Sequence, residues 1–147
     1  MCACSSQSPE AGAAAGAPGS TVGCSASDGG EHAAGSPQPG EAGRFDFTLV
    51  DSTPAPPALG DNTFVVQVSD RDGNPAFGDL SVALDMPEHG HQSPRQPEIR
   101  FDAESQAFVL KPMRLFMVGL WHITFSFDGM VDDTPLSDSA VFEFCID

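Results

Sequence analysis

The sequence predicts an all-β fold, an antiparallel β-sandwich of about seven strands preceded by a disordered N-terminal tail. Three observations predict it. Apolar and polar residues alternate in seven short runs from Arg44 onward, the breaks between the runs carry turn chemistry, and no stretch keeps a helical period.

The tail comes first. Of residues 1–43, thirty are Gly, Ala, Ser or Pro, and none is Phe, Leu, Ile or Trp. A segment without large apolar side chains cannot offset the entropy of ordering itself, so 1–43 reads as a tail or tether and 44–147 as the folded domain. The domain's strands follow in order. "RFDFTLV" sets Phe45, Phe47 and Leu49 on one face, and "NTFVVQVSD" does the same with Phe64, Val66 and Val68. "DLSVALDM" aligns Leu80, Val82, Leu84 and Met86, and "EIRF" and "QAFVLKPM" are shorter runs. "LWHITFSF" aligns Trp121, Ile123, Phe125 and Phe127, leaving His122, Thr124 and Ser126 outside. "AVFEFCI" aligns Phe142, Phe144 and Ile146, with Cys145 on the outer face. Between them lie "STPAPPALGDN", "DRDGNPAFG", "EHGHQSPRQP" and "FDGMVDDTP", rich in the residues that turns require. Seven such strands in about 100 residues fit a two-sheet sandwich of immunoglobulin-like type, with Trp121 at its centre.

Charge and motifs narrow the function. The net charge is −15, of which −11 falls from Arg44 onward (17 acidic against 6 basic residues), so nucleic acid and anionic membrane surfaces would be repelled. No stretch is apolar for long enough to span a membrane. No nucleophile elbow, HExxH, phosphate-cradling loop or CxxC occurs, and no aspartate reads as sitting in an apolar run, so the sequence is not expected to be an enzyme. At the start, "MCACSSQSPE" places Ala3 before Cys4 and then a Ser-, Ala- and Gly-rich tether, which looks like the end of a bacterial lipoprotein signal. One expectation is therefore a true start upstream with Cys4 lipidated; the other is an N-terminus with incidental cysteines.

The ordered series "PAPPALGDN", "VQVSDRDGNPAFGDLSV", "DMPEHGH", "LFMVGLWHITF" and "AVFEFCI" resembles the YtkA-like domain, a relative of the FixH proteins, over nearly all of residues 44–147. The family's first element falls on Met86, Pro87, His89, Gly90 and His91, and its second, about 25 residues later, on Met117, Gly119, Leu120 and Trp121. Val118 stands where proline is usual, and His122 where an acidic residue is common. The resemblance implies an immunoglobulin-like domain of the bacterial envelope, often secreted or lipid-anchored, and supplies a fold and a compartment more than a reaction. FixH relatives are associated with copper delivery to respiratory oxidases but carry a membrane helix.

The stretch "LDMPEHGHQSP" is the candidate site. His89 and His91 flank a glycine, which lets the chain turn and sets both imidazoles on one side. With Met86 and Met117 they make an imidazole and thioether set that selects copper; Asp85 and Glu88 could instead complete a Zn(II) or Cu(II) set. Against this, Met86 is in phase with Leu80, Val82 and Leu84, Met113 and Met117 lie in apolar surroundings, His122 faces outward, His32 lies in the tail, and imidazoles can also brace a turn by hydrogen bonding.

The cysteines leave two readings open. Cys145 sits on the outer face of the last strand, and Cys24 is joined to the first strand by flexible chain, so a Cys24–Cys145 disulfide is sterically easy; two free thiols are the alternative. The resemblance points to the disulfide, since similar sequences ending in an FC element often carry an upstream cysteine. The reading that follows is a non-enzymatic extracytoplasmic module that binds copper through a His/Met loop. Beside it stand a structural or protein-binding envelope domain without metal, with an envelope protein as partner, and an accessory factor in respiratory-enzyme assembly.

Overall fold

The structure, a computed structural model, describes Cys24 and residues 34–147. Residues 1–23 and 25–33, which hold most of the expected tail together with Cys4 and His32, lie outside the described residues.

Nine strands and no helix make up the described chain: β1 (Pro37–Pro39), β2 (Phe45–Thr53), β3 (Gly60–Asp70), β4 (Gly78–Met86), β5 (His91–Gln92), β6 (Glu98–Asp102), β7 (Ala107–Leu115), β8 (Gly119–Val131) and β9 (Thr134–Ile146). The seven runs read from the sequence are β2, β3, β4, β6, β7, β8 and β9. They form two antiparallel sheets, β1-β2-β3-β7-β6 and β5-β4-β8-β9, whose inner faces carry the aligned apolar residues into one core. Trp121 and most of the core phenylalanines are fully buried; Phe45 and Phe127 meet edge to face across the core from the two sheets (4.9 Å), and Phe125 and Phe142 do so between neighbouring strands of one sheet (5.3 Å).

The structure departs from the sequence reading in three places. The first is the start of the sandwich, which precedes Arg44. β1 pairs with β2 from Pro37↔Thr48 to Pro39↔Asp46, inside the stretch read as tail. A three-residue edge strand flanked by prolines contributes backbone rather than apolar side chains, so composition does not reveal it. Secondly, "FDGMVDDTP" was expected to break the chain, yet β8 and β9 stay paired down to Val131↔Thr134. The reversal is confined to Asp132 and Asp133, both left-handed (φ 49° and 61°), the geometry of a two-residue type I′ hairpin. Thirdly, Asp138 occupies an inward position, in phase with Ala140, Phe142, Phe144 and Ile146, although the sequence reading placed no aspartate in an apolar run.

Asp138 is held by the chain that enters the domain. Its carboxylate accepts hydrogen bonds from the backbone N–H groups of Ala42 (2.8 Å), Arg44 (2.8 Å), Phe45 (3.1 Å) and its neighbour Ser139 (2.9 Å). Burial alone would raise the pKa, but the bonds from Ala42, Phe45, Arg44 and Ser139 together outweigh it and hold the carboxyl below its ordinary value. The same incoming segment runs beside β9: Gln38 Nε2 donates to the Val141 carbonyl (2.8 Å) and Glu41 N–H to that of Ser139 (2.8 Å). A disulfide between Cys24 and Cys145, Cα atoms 5.5 Å apart, pins an earlier point of the chain to the far end of β9.

Candidate functional site

β4 ends at Met86, and the chain then turns through residues 87–90 into the short β5. The His89 N–H donates to the Met86 carbonyl (3.1 Å), and Gly90 adopts φ 62°, which lets the chain double back so that His91 pairs with Met86 and Gln92 with Asp85. Ser93, buried behind the turn, anchors its far side: its N–H donates to the Leu84 carbonyl (2.9 Å), and its Oγ reaches the carbonyls of Arg95 (3.3 Å) and Arg114 (3.4 Å). The turn is thus held by backbone and by Ser93. The imidazoles of His89 and His91 are left exposed, their ring centroids 6.3 Å apart and their planes within 14° of parallel.

The thioethers are placed differently. Met86 is 1% exposed and belongs to the core. Its methyl group lies so close to Gly119 that a Cβ there would stand 2.9 Å from Met86 Cε, and Gly119 itself has φ 130°. Met117 is partly buried against the core, and its carbonyl accepts a hydrogen bond from Trp121 Nε1 (2.9 Å), while Phe116 packs edge to face on the same indole (5.3 Å). Met113 is wholly buried. The two sequence elements about 25 residues apart therefore do meet at one pole, through Met86 on Gly119 and the β4–β8 pairing that ends at Asp85↔His122. What they share there is packing. The structure brings His89 and His91 together, buries Met86 in the core and packs Met117, partly buried, against that core. Among the described residues no group of three or more His, Cys, Asp or Glu side chains is placed to hold a metal ion, so Asp85 and Glu88 do not complete a set with the histidines.

His122 has surroundings that the sequence reading did not foresee. It stands half exposed on the outer face of β8 with Glu143 opposite on β9, Nε2 to Oε1 3.1 Å, and with Asp85 opposite on β4. Period-two alignment of the three strands would have set these side chains on one face, but only the register puts them in one row. Cys145, on the same face and paired with Leu120, carries the disulfide at this pole. No helix among the described residues is long and apolar enough to cross a membrane.

A family model described as YtkA-like matches residues 41–126, from the segment entering β2 to the middle of β8 and including both elements of the histidine pole. No curated protein and no solved structure matches the chain significantly.

Proposed function

The chain belongs to the YtkA-like family, and from that premise we propose that it is a non-enzymatic, extracytoplasmic binding module that takes up copper through His89 and His91. The observation that carries the reading is the turn itself: two exposed imidazoles, nearly parallel and 6.3 Å apart, projecting from a backbone braced independently of them. An imidazole nitrogen ligates at about 2.0–2.1 Å, and both rings are free to rotate toward one ion between them. Two imidazoles supply half of a tetrahedral set, so an ion held here keeps positions open to a second protein, which suits a module that passes copper on rather than stores it. Met86 and Met117 take no part in this set; Met86 belongs to the core, and Met117 packs partly buried against it. The Cys24–Cys145 disulfide supports an oxidising compartment, as does the family. We extend the same proposal to attachment through a lipid on Cys4, which would tether the domain at the envelope.

Competition titration of the full chain against a chromophoric copper chelator tests the copper reading. We expect one Cu(I) or Cu(II) per chain, with uptake abolished in His89→Ala/His91→Ala and unchanged in Met117→Leu. Absence of uptake in the parent overturns it and leaves an envelope domain without metal; unchanged uptake in the double variant overturns the assignment of the site to His89 and His91.

A further inference from the structure

At the pole opposite the histidine turn, β4 begins and β8 ends, with Gly78 across from Gly129. Neither position admits a side chain. A Cβ on Gly78 would collide with the Asp128 carbonyl, and one on Gly129 with the Phe127 ring. The two glycines leave a strip of bare backbone as the floor of an open groove of about 770 Å³, flanked by Phe77 and Met130 and rimmed by Asp79, Asp128, Asp132 and Asp133.

Two features of this groove have no explanation within the domain. Phe77 is 63% exposed and Met130 58%, and both project beside the groove although the core lies directly beneath. Phe77 is not a loose surface ring. It meets Phe101 edge to face (6.1 Å), Phe101 meets Phe108 (5.2 Å), and Phe108 meets Phe127 in the core (6.1 Å), so a chain of rings holds it in place. An apolar anchor held in place before binding loses little freedom when a partner covers it. The second feature is charge. Asp79 and Asp128 are direct cross-strand partners, a like-charged pair that weakens the sheet, and Asp132 and Asp133 adjoin at the hairpin tip. No Lys, Arg or His lines the groove, and the ion pairs of the described residues, Arg114–Asp61 and His122–Glu143, involve none of the four aspartates.

We propose that this groove is a docking site for a cationic, apolar peptide segment of a partner protein. A leucine- or phenylalanine-sized side chain would seat on the Gly78–Gly129 floor between Phe77 and Met130. Flanking Lys or Arg side chains would pair with Asp79 and Asp128 on one side and Asp132 and Asp133 on the other. Charge selects this occupant over the alternatives, since a second copy of the chain carries −15 and an anionic lipid surface is repelled in the same way. The inference does not rest on copper binding, because β4 separates the two sites by about 26 Å at the usual strand rise.

The test titrates a short synthetic peptide alternating lysine with leucine and phenylalanine into the isotope-labelled full chain, observed by NMR, with its glutamate counterpart as control. We expect saturable shifts centred on Phe77, Gly78, Gly129 and Met130 with the lysine peptide alone. Affinity should fall about tenfold in Phe77→Ser/Met130→Ser, fall with added salt and in Asp132→Asn/Asp133→Asn, and stay unchanged in His89→Ala/His91→Ala. Both groove variants alter exposed side chains, and their folding is checked by the unshifted remainder of the spectrum. No binding, equal binding by the serine variant, or shifts scattered over the acidic surface would overturn the proposal. So would insertion of Phe77 and Met130 into phosphatidylcholine vesicles without peptide binding, which would make the groove a lipid-facing surface.

Discussion

The same two strands, β4 and β8, end in opposite ways at the two poles of the sandwich. At the histidine pole the inward positions are filled by Met86 and Trp121 and Gly119 admits the Met86 methyl; the turn's imidazoles, His89 and His91, reach solvent, as does Phe116 on the outer side of the Trp121 indole. At the other pole Gly78 faces Gly129, and the apolar side chains nearest them, Phe77 and Met130, lie outside. The difference teaches where to look for chemistry in such a fold. Both poles are closed beneath by packed side chains, Met86 and Trp121 at one and Phe127 at the other, but the first offers chiefly the imidazoles its turn projects, whereas the second offers apolar surface and rim charge together.

Three experiments would break or sharpen this contrast. The largest effect should come from reducing the disulfide, which is attached at the histidine pole through Cys145 beside Leu120. Its 121-residue separation implies a loss of about 4–5 kcal/mol on the chain-entropy estimate. Chemical denaturation with and without reductant measures it, and hydrogen exchange should quicken at Leu120 and Ile146 before Gly78 and Gly129; equal quickening at both poles would remove the contrast. Next, Met86→Ala should destabilise by about 2–5 kcal/mol, as truncation of a fully buried side chain does, whereas Met130→Ala should cost less than about 0.5 kcal/mol. Similar losses from both substitutions, read from urea midpoints, would mean that the two poles are packed alike.

The smallest effect concerns Asp138, which binds the entering chain at the β9 edge, across from Phe127. Asp138→Asn should cost about 1–3 kcal/mol at neutral pH, because an amide replaces a carboxylate that accepts four backbone N–H groups. The sign of the pH dependence follows from a folded pKa below the ordinary value. The contribution is fully present above the unfolded value of about 3.9 and is lost as pH falls through the lower folded value. Wild type and Asp138→Asn should therefore converge in stability on acidification; a gap unchanged at acid pH would deny the carboxylate this role.

Particular residues show what was legible and why. The alternation of Phe45, Phe47 and Leu49 against Asp46 and Thr48 settles both strand and facing, since a half-buried strand must segregate its two sides. The same rule carried two residues upstream of the "AVFEFCI" run reaches Asp138, which shares the phase of Phe142 and Phe144. Met86 could be read as core by phase and as ligand by chemistry, and burial decides for core. Phe77 gave no warning of its exposure, because it lies in a turn, where period two says nothing about facing.

By itself the sequence determined the two-sheet architecture, the inward set of each principal strand, the glycine-bent histidine turn and the family, all of which depend on patterns within a few residues or on motifs with fixed spacing. Only the tertiary structure decided that Pro37–Pro39 is a strand, that Asp138 receives the entering backbone, that Met86 packs on Gly119 instead of joining the histidines, and that four aspartates gather around a glycine floor. The reason is physical. Alternation records which face a residue takes, but strand register across long separations sets which residues become neighbours, and a cross-strand neighbour leaves no mark in the order of the chain.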